Sequence, residues 1–286
     1  LQEFSRSKKI NVQRTPSLQN ALDRDLEKQC RAAGAIMRKH FKKSLTVTKK
    51  ADGSRVTNVD LAIADWIVNQ LPQYATALDL FSEETAKQPI SKEKPVLIVD
   101  ELDGTSHYIA KRNGFAHQTA LWWPGEGLVC GMIYYPLEDI LLKAWRGEKA
   151  QMMVQSEVHI MDPSIPSTWE ELRHYHTKRY RGSKYRTLFS QIGVQEGQII
   201  YTHADRTRQA LKGNLHSILS LMRLIHPWDW AGEKVILEAL GWRYAYLDGQ
   251  SLDPFVSPPP NNKGYLACPE SWFDRLSSKV QEHLDQ

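Results

Sequence analysis

The chain has 286 residues, of which 41% are hydrophobic and 24% are charged, and it contains nine tryptophans. A chain of this length and composition buries enough apolar surface to offset the entropy lost on folding, so disordered and fibrous classes are excluded. Its 37 Lys and Arg against 33 Asp and Glu give a formal net charge of +4. This surplus is too mild for a dedicated nucleic-acid binder and is compatible with a small anionic substrate.

The number of cysteines and the hydropathy of the chain indicate in which cellular compartment the protein works. The three cysteines, Cys30, Cys130 and Cys268, leave one unpaired and suit no zinc motif, which favours a reducing cytoplasm. The apolar run at 128–137 falls short of the ~18 residues that a membrane span needs. We therefore expect a cytoplasmic protein that does not bind membranes.

The first part of the chain predicts two helices before any strand. Residues 1–16 mix basic residues with serine and proline and predict a flexible tail. From 17 to 43, apolar residues recur every three or four positions, which predicts an amphipathic helix capped by Ser17. The same spacing predicts a second helix over 57–71.

The middle of the chain predicts a mixed sheet. Short apolar runs at 77–81 and 95–99 each end in acidic residues, as expected for strands that terminate at a site. Two longer runs, 115–123 and 128–135, flank a Pro-Gly-Glu-Gly turn and predict a hairpin. A further strand is predicted at 140–145.

The second half begins with a polar and basic stretch. Residues 164–197 predict a surface loop or a peripheral helix, which is either a solvated basic face or a lip that attracts an anionic substrate. Beyond it we expect strands at 199–202 and 244–247 and helices at 216–224, 230–240 and 272–284.

The most informative stretch is 99–105, Val-Asp-Glu-Leu-Asp-Gly-Thr. Its two carboxylates, Asp100 and Asp103, and the Leu102 carbonyl between them are oxygen ligands of the kind that Mg²⁺ prefers. If a helix starts here, the N–H groups of residues 104–106 point towards a phosphate. The same sequence pattern, Asp-x-x-Asp-Gly, also occurs in ordinary turns with solvated carboxylates.

Other acidic residues also stand beside apolar elements. Glu83 and Glu84 follow a predicted strand, Asp60 lies near the start of a predicted helix, and Asp229 lies between two tryptophans. Because a partly buried carboxylate is costly unless it is paired or bound to a cation, these positions indicate metal binding. For Asp229, a helix cap is the alternative.

Four motifs in order resemble the magnesium-dependent, lithium-sensitive phosphatases typified by inositol monophosphatase and the CysQ-type 3'(2'),5'-bisphosphate nucleotidase. Segment 52–60 is similar to the family's Asp-x-x-x-Val-Thr-x-x-Asp motif, 82–85 to its Glu-Glu loop, 100–105 to Asp-Pro-Ile/Leu-Asp-Gly-Thr and 228–232 to Trp-Asp-x-Ala-Gly. Weaker similarities lie at 146–150 and 202–205. The resemblance covers residues 20–255.

The resemblance implies an α/β fold, a layered αβαβα sandwich of the sugar-phosphatase type. An N-terminal metal- and phosphate-binding half, 17–150, would meet a C-terminal half, 151–286, at the site. Two or three Mg²⁺ ions would be held by Glu83, Asp100, the Leu102 carbonyl, Asp103 and Asp229.

The resemblance also implies roles in catalysis. Glu83 and Thr105 would orient a metal-bound water, and Asp60 would accept the Thr105 proton. The phosphate would be held by the backbone amides of Gly104, Thr105 and Ser106. Such an in-line displacement needs no covalent enzyme intermediate.

Two departures from the family pattern concern this chain. Glu101 replaces the usual proline; its side chain either tunes the ions or faces solvent, and we expect the latter. Only 26 positions separate His203 from Asp229, where the family fits a strand, a helix and a further strand that contact the substrate. We therefore expect 217–224 to be a remnant and the substrate-reading region to be rebuilt.

The sequence indicates the substrate less clearly than it indicates the type of reaction. Residues 109–115 resemble a run of the nucleotidase branch, and Lys111 and Arg112 either meet a second phosphate or are solvated. The predicted function is Mg²⁺-dependent hydrolysis of a small phosphorylated metabolite, most like a bisphosphate nucleotidase, with inositol or another sugar monophosphate as the alternative. A non-catalytic binder of a phosphorylated ligand and a nucleic-acid binder remain as other classes, and a homodimer is compatible.

Overall fold

The computed structural model describes residues 13–51, 53–85, 90, 92–162, 165–176, 183–199, 202–221, 225–256, 258 and 263–285. Most of the predicted tail, 1–12, lies outside the described residues. The first helix, α1 (Pro16–His40), is capped by Thr15, whose hydroxyl accepts a hydrogen bond from the Leu18 N–H at 3.2 Å. The predicted cap at Ser17 was therefore wrong by two residues.

Helices α1 and α2 (Asn58–Gln70) form the first layer. The apolar stripe of α1 is buried against the main sheet, as its spacing predicts. A short hairpin, β1 (Val47–Lys49) and β2 (Arg55–Thr57), precedes α2. The expectation that two helices precede any strand was wrong, because three-residue strands carry no periodicity to read.

The main sheet forms the second layer and contains seven strands within the described residues, in chain order from one edge to the other. These strands are β3 (Asp79–Ser82), β4 (Val96–Asp103), β5 (Ala116–Trp123), β6 (Gly127–Tyr135), β7 (Ile140–Trp145), β8 (Gln151–Val154) and β9 (Glu157–Ile160). Strands β3 and β4 are parallel and the other neighbours are antiparallel. The hairpin predicted at 115–135 is confirmed.

The remaining layers come from the second half of the chain. A short helix, α3 (Thr105–Ile109), follows β4, and α5 (His203–Leu211) and α6 (Pro227–Ala239) pack between the main sheet and a second sheet. The second sheet has the order β12-β14-β13, and β10 and β11 form a parallel pair beside it. Its strands are β10 (Arg173–His176), β11 (Gln195–Ile199), β12 (Ile218–Ser220), β13 (Trp242–Tyr246) and β14 (Tyr265–Pro269).

Helices α4 (Ser183–Ile192) and α7 (Glu270–Leu284) cover the outer face of the second sheet. The layers therefore run helices, sheet, helices, sheet, helices, which confirms the predicted αβαβα architecture. The three cysteines are free and buried. Among the described residues, no helix is both long and apolar enough to cross a membrane.

Two expectations about the second half were wrong. The stretch predicted as a loop or peripheral helix contains β10, α4 and β11, although 177–182 lies outside the described residues. The stretch predicted as helical at 216–224 contains β12 instead, and 222–224 is not described. Within the described residues between His203 and Asp229, the chain forms one helix, α5, and one strand, β12.

A β-bulge in β4 decides where the two central aspartates point. Asp100 pairs with Gln118 and Asp103 pairs with Ala116, so three steps along β4 oppose two along β5. Strand residues alternate between faces, and positions three apart normally face opposite sides. The extra residue brings Asp103 back to the face of Asp100, the face covered by α5 and α6.

A buried histidine supports the bulge from the opposite face. The Nδ1 atom of His117 lies 3.1 Å from the Glu101 carbonyl oxygen, and its Nε2 atom lies 3.0 Å from Nε2 of Gln29. Because the amide nitrogen of Gln29 only donates, Nε2 of His117 accepts and Nδ1 carries the proton. The side-chain amide oxygen of Gln29, Oε1, in turn accepts a hydrogen bond from the Tyr74 hydroxyl. Burial lowers the pKa of His117 to about 4, so the ring is neutral.

We expect the buried, neutral His117 to make the protein less stable in acid. Between about pH 6.5 and pH 4 the unfolded chain protonates His117 while the folded protein does not, so the free energy of unfolding falls as the pH falls through this window. We expect His117 to account for about 2 kcal/mol of this loss. Urea unfolding at pH 7 and pH 4.5 measures it. His117→Gln should flatten the pH dependence and the exposed His159→Gln should not; equal slopes in both variants would contradict the assignment.

Candidate active site

Acidic residues from three elements lie near one another where β3 and β4 end. Asp100 and Asp103 lie on β4, and Glu83 follows β3, where its N–H donates to the Val99 carbonyl at 3.1 Å. Asp229 comes from the first turn of α6. Burial, and after it the negative charges of Glu83, Asp103 and Asp229, raise the pKa of Asp100, so these four predicted acids lie in one region of the structure.

Asp100 is the most deeply buried of these acids. Its residue is 2% exposed, and its Oδ1 atom has no hydrogen-bond partner. Burial raises its pKa well above the usual value, and the neighbouring carboxylates add to this effect. A buried carboxylate oxygen without a donor has a free lone pair, which a cation can use.

Asp103 is held by the start of α5. Its Oδ2 atom accepts a hydrogen bond from the Ala204 N–H at 2.8 Å, and its Oδ1 atom accepts one from the His203 N–H at 3.4 Å. Free N–H groups at a helix N-terminus favour a negative charge. Burial nevertheless raises the pKa of Asp103, although these amides and the His203 ring act to lower it.

Asp229 faces a histidine that the sequence analysis had not placed in the site. Nδ1 of His203 lies 3.4 Å from Oδ1 of Asp229. Burial acts to raise the pKa of Asp229, but the positive charges of His203, His226 and Arg206 together lower it below the usual value. Burial acts to lower the pKa of His203, and Asp229 and Asp103 together raise it above the usual value. The weak motif similarity at 202–205 was the signal in the sequence that pointed here.

Glu83 is paired with a lysine that the sequence analysis did not single out. Nζ of Lys50 lies 2.8 Å from Oε1 of Glu83 and 2.7 Å from Oε1 of Glu84. Burial raises the pKa of Glu83 to about 7 even though Lys50 acts to lower it. The two carboxylates thus share one positive charge in this structure.

Thr105 and Asp60 approach each other on the α2 side of the site. The Thr105 hydroxyl lies 3.0 Å from the Leu102 carbonyl oxygen and 3.5 Å from Oδ1 of Asp60, so its shorter hydrogen bond goes to the carbonyl. The other carboxylate oxygen of Asp60 accepts the Thr57 N–H at 2.8 Å, which completes a capping box at α2. Burial raises the pKa of Asp60 to about 6, against the effect of Thr57.

Gly104 makes the tight turn from β4 into α3. Its φ of +81° is in the left-handed region, and a Cβ atom there would lie 2.7 Å from Cγ2 of Thr202 and 3.0 Å from the Gly114 carbonyl oxygen. A side chain is therefore excluded at this position. The first N–H groups of α3, which begins at Thr105, have no acceptor within the helix.

The expectation that Glu101 faces solvent was wrong. The residue is 1% exposed, and neither carboxylate oxygen accepts a hydrogen bond. Burial raises its pKa to about 8. The physical reason is the bulge, because Glu101 is one of the two β4 residues that oppose a single residue of β5.

The two basic residues suggested for a second phosphate lie at the turn after α3. Lys111 donates from Nζ to the Lys43 carbonyl at 2.9 Å, and its ammonium lies over the rings of Phe41 and Tyr108 at 5.8 and 5.6 Å. Arg112 is exposed. The structure therefore does not bring Lys111 to the acidic residues.

The donor set fits a hard divalent cation in its chemistry. Carboxylates, a backbone carbonyl and the unpartnered Oδ1 of Asp100 are the oxygen ligands that Mg²⁺ and Ca²⁺ take. In this arrangement, no three carboxylate, imidazole or thiol groups of the described chain converge closely enough to hold an ion. Glu83 is instead held by Lys50, Asp103 by α5 and Asp229 by His203.

Comparison with known proteins agrees with this fold. Residues 18–285 match the model of the inositol monophosphatase family. The chain belongs to that family. Members of the family are phosphatases, that is, phosphoric monoester hydrolases, so the chain is a phosphatase of this superfamily. The motif resemblance noted in the sequence is thus confirmed.

Similar proteins within the superfamily differ in what they act on. The inositol-1-monophosphatase of Bacillus subtilis is 26% identical over 239 residues, 80% of this chain and 86% of that protein. The 3'(2'),5'-bisphosphate nucleotidase CysQ of Aggregatibacter actinomycetemcomitans is 26% identical over 135 residues, 46% of this chain and 50% of that protein. A structure of an IMPase/NADP phosphatase complexed with NADP and Ca²⁺ has a TM-score of 0.75 at 19% identity, and the match covers 94% of this chain and 97% of that one.

Proposed function

We propose that this phosphatase hydrolyses a small phosphate monoester with the help of Mg²⁺ ions bound by Glu83, Asp100, the Leu102 carbonyl, Asp103 and Asp229. The observation that carries the proposal is the placement of Asp100 and Asp103 on one face of the bulged β4, opposite Asp229 on α6. Surplus carboxylates on both sides of a cleft repel one another unless a cation compensates them.

The bound ions would supply a water of lowered pKa and neutralise charge on the phosphate. The chain's own residues then have separate tasks. Thr105 holds its hydroxyl between the Leu102 carbonyl and Asp60, so Asp60 can take its proton while Glu83 and Thr105 orient the water. The raised pKa of Asp60, about 6, suits a group that accepts a proton near neutral pH.

The phosphate itself would bind at the start of α3. The backbone amides of Gly104, Thr105 and Ser106 are the first N–H groups of this turn, and only glycine fits the left-handed, closely packed position 104 that forms it. Each amide would donate a hydrogen bond to a phosphate oxygen, which orients the phosphorus for in-line attack by the water.

Among the candidate substrates, the structure supports a sugar or inositol monophosphate over a bisphosphorylated nucleotide. Lys111 and Arg112 were the residues suggested for a second phosphate; the ammonium of Lys111 is held by the Lys43 carbonyl and two aromatic rings, and Arg112 is exposed. The match to the Bacillus subtilis inositol-1-monophosphatase also covers more of the chain than the match to CysQ. The bisphosphate nucleotidase assignment made from residues 109–115 therefore becomes the second candidate.

Phosphate release across a substrate panel tests this proposal. The panel contains inositol 1-phosphate, 3'-phosphoadenosine 5'-phosphate, fructose 1,6-bisphosphate, histidinol phosphate and several sugar phosphates, each with Mg²⁺ and with a chelator. We expect Mg²⁺-dependent release that is fastest with a monophosphate. Fastest release from the adenosine bisphosphate would favour the nucleotidase assignment. If the protein bound Mg²⁺ but released phosphate from no compound of the panel, the result would contradict the proposed hydrolysis and favour a protein that only binds a phosphorylated ligand.

A further inference from the structure

Lys50 occupies the edge of the acidic site. Its ammonium lies within 2.8 Å of one oxygen of Glu83 and within 2.7 Å of one oxygen of Glu84. The three side chains are mostly buried, with exposed fractions of 22%, 24% and 7%. At such burial an ion pair is screened much less than on an open surface.

The backbone of Lys50 is fixed by the hairpin before α2. Its N–H donates to the Ser54 carbonyl at 2.9 Å, and its carbonyl accepts from the Gly53 N–H at 3.0 Å. The preceding residue, Lys49, ends β1 and is exposed. The hairpin therefore directs one lysine into the site and leaves its neighbour outside.

The acids around Lys50 outnumber it. Glu83 and Glu84 follow β3, which pairs in parallel with β4, the strand that carries the buried Asp100 and Glu101. Both carboxylate oxygens of Glu101 and Oδ1 of Asp100 have no hydrogen-bond partner. A single ammonium placed between Glu83 and Glu84 compensates part of this negative charge.

We propose that Lys50 is a built-in counter-ion that competes with the divalent ion for Glu83 and so weakens metal binding at this site. The inference rests on the proposed function, since it takes Glu83 as a metal ligand. Lys50 acts through Glu83 and Glu84 and is therefore a positioning residue. It holds the two carboxylates in place before the ion arrives, and its charge sets how much Mg²⁺ the enzyme needs.

The competition follows from the geometry and the charges. A cation bound by Oε1 of Glu83 would share that atom with the Lys50 ammonium or displace it, and two positive charges this close repel each other in a partly buried site. A substitution that removes the ammonium and nearly keeps the length of the side chain should therefore strengthen the binding of a divalent ion. It should also leave Glu83 and Glu84 uncompensated when no ion is present.

Titration calorimetry with Mg²⁺ alone tests the proposal on the full chain. We expect Lys50→Met to bind Mg²⁺ at least ~10-fold more tightly than the wild type, a factor equal to about 1.4 kcal/mol. Lys49→Met is the matched control, because it removes the same charge one residue away without touching the acids, and it should bind as the wild type does. Metal-free Lys50→Met should melt at a lower temperature than wild type, and Mg²⁺ should raise its melting temperature by more.

The outcomes separate this inference from the proposed function. Equal Mg²⁺ affinity in wild type and Lys50→Met overturns the counter-ion role and leaves the metal assignment intact. Weaker binding by Lys50→Met also overturns it, because Lys50 would then support the ion. Absence of Mg²⁺ binding in all three proteins overturns both the inference and the metal sites on which it rests.

Discussion

Asp103→Asn is expected to lose Mg²⁺ binding and phosphate release together. The substitution keeps the shape of the side chain and removes the charge that faces Asp100 and Asp229. Loss of residues that only support metal ligands costs about 10- to 100-fold in affinity, so loss of a ligand's charge should cost on the order of 100-fold or more. Phosphate release should fall by on the order of 1,000-fold. Asp229→Asn should behave in the same way, because it removes the opposing carboxylate.

The control for this prediction is Asp274→Asn, which neutralises an aspartate on α7 whose side chain is 91% exposed. It should keep both Mg²⁺ affinity and turnover. Circular dichroism and a melting curve establish that each variant is folded before its activity is compared. A folded Asp103→Asn enzyme with wild-type turnover would exclude this site as the catalytic one.

Arg206→Met should destabilise the whole protein by about 3–5 kcal/mol, because it leaves a buried carboxylate without its partner. Nε of Arg206 donates to both oxygens of Glu233 at 2.7 and 2.9 Å, and the two residues are 3% and 0% exposed. The pair joins α5 to α6 one turn behind His203 and Asp229. Denaturant unfolding of the metal-free protein measures the loss.

Two further variants make this prediction specific. The double variant Arg206→Met with Glu233→Gln removes both charges and should be less destabilised than the sum of the two single variants. Arg243→Met breaks a pair with the exposed Asp274, 3.0 Å away, and surface pairs contribute about 0–1 kcal/mol. If Arg206→Met were no more destabilised than Arg243→Met, the buried pair would not hold α5 and α6 together.

Long periodic segments were predictable from the sequence, and short strands were not. The stripe of α1 and the hairpin of β5 and β6 repeat their apolar positions often enough to fix the element type. Strand β9 has four exposed residues and β12 has only three residues, so neither has an alternation to read. Tertiary pairing, rather than local sequence, makes these segments strands.

The acids of the site were predictable because they stand in local motifs beside strand ends. The basic side chains that contact these acids were not predictable from the sequence. Lys50 lies 33 positions before Glu83, and His203 lies 26 positions before Asp229; both contacts arise only when separate elements pack together. The burial of Glu101 was missed for a related reason, since it depends on the bulge that forms when β4 pairs with β5.

The bulge in β4 also separates two kinds of sequence change. A substitution at Glu101 alters one side chain and leaves the number of residues between Asp100 and Asp103 unchanged. Deletion of one of the two intervening residues would restore regular alternation with β5 and leave the second aspartate only two positions from the first, without the irregular backbone that supplies the Leu102 carbonyl. At Glu101, we therefore expect a change of residue type to be tolerated better than a change in the number of residues between the two aspartates.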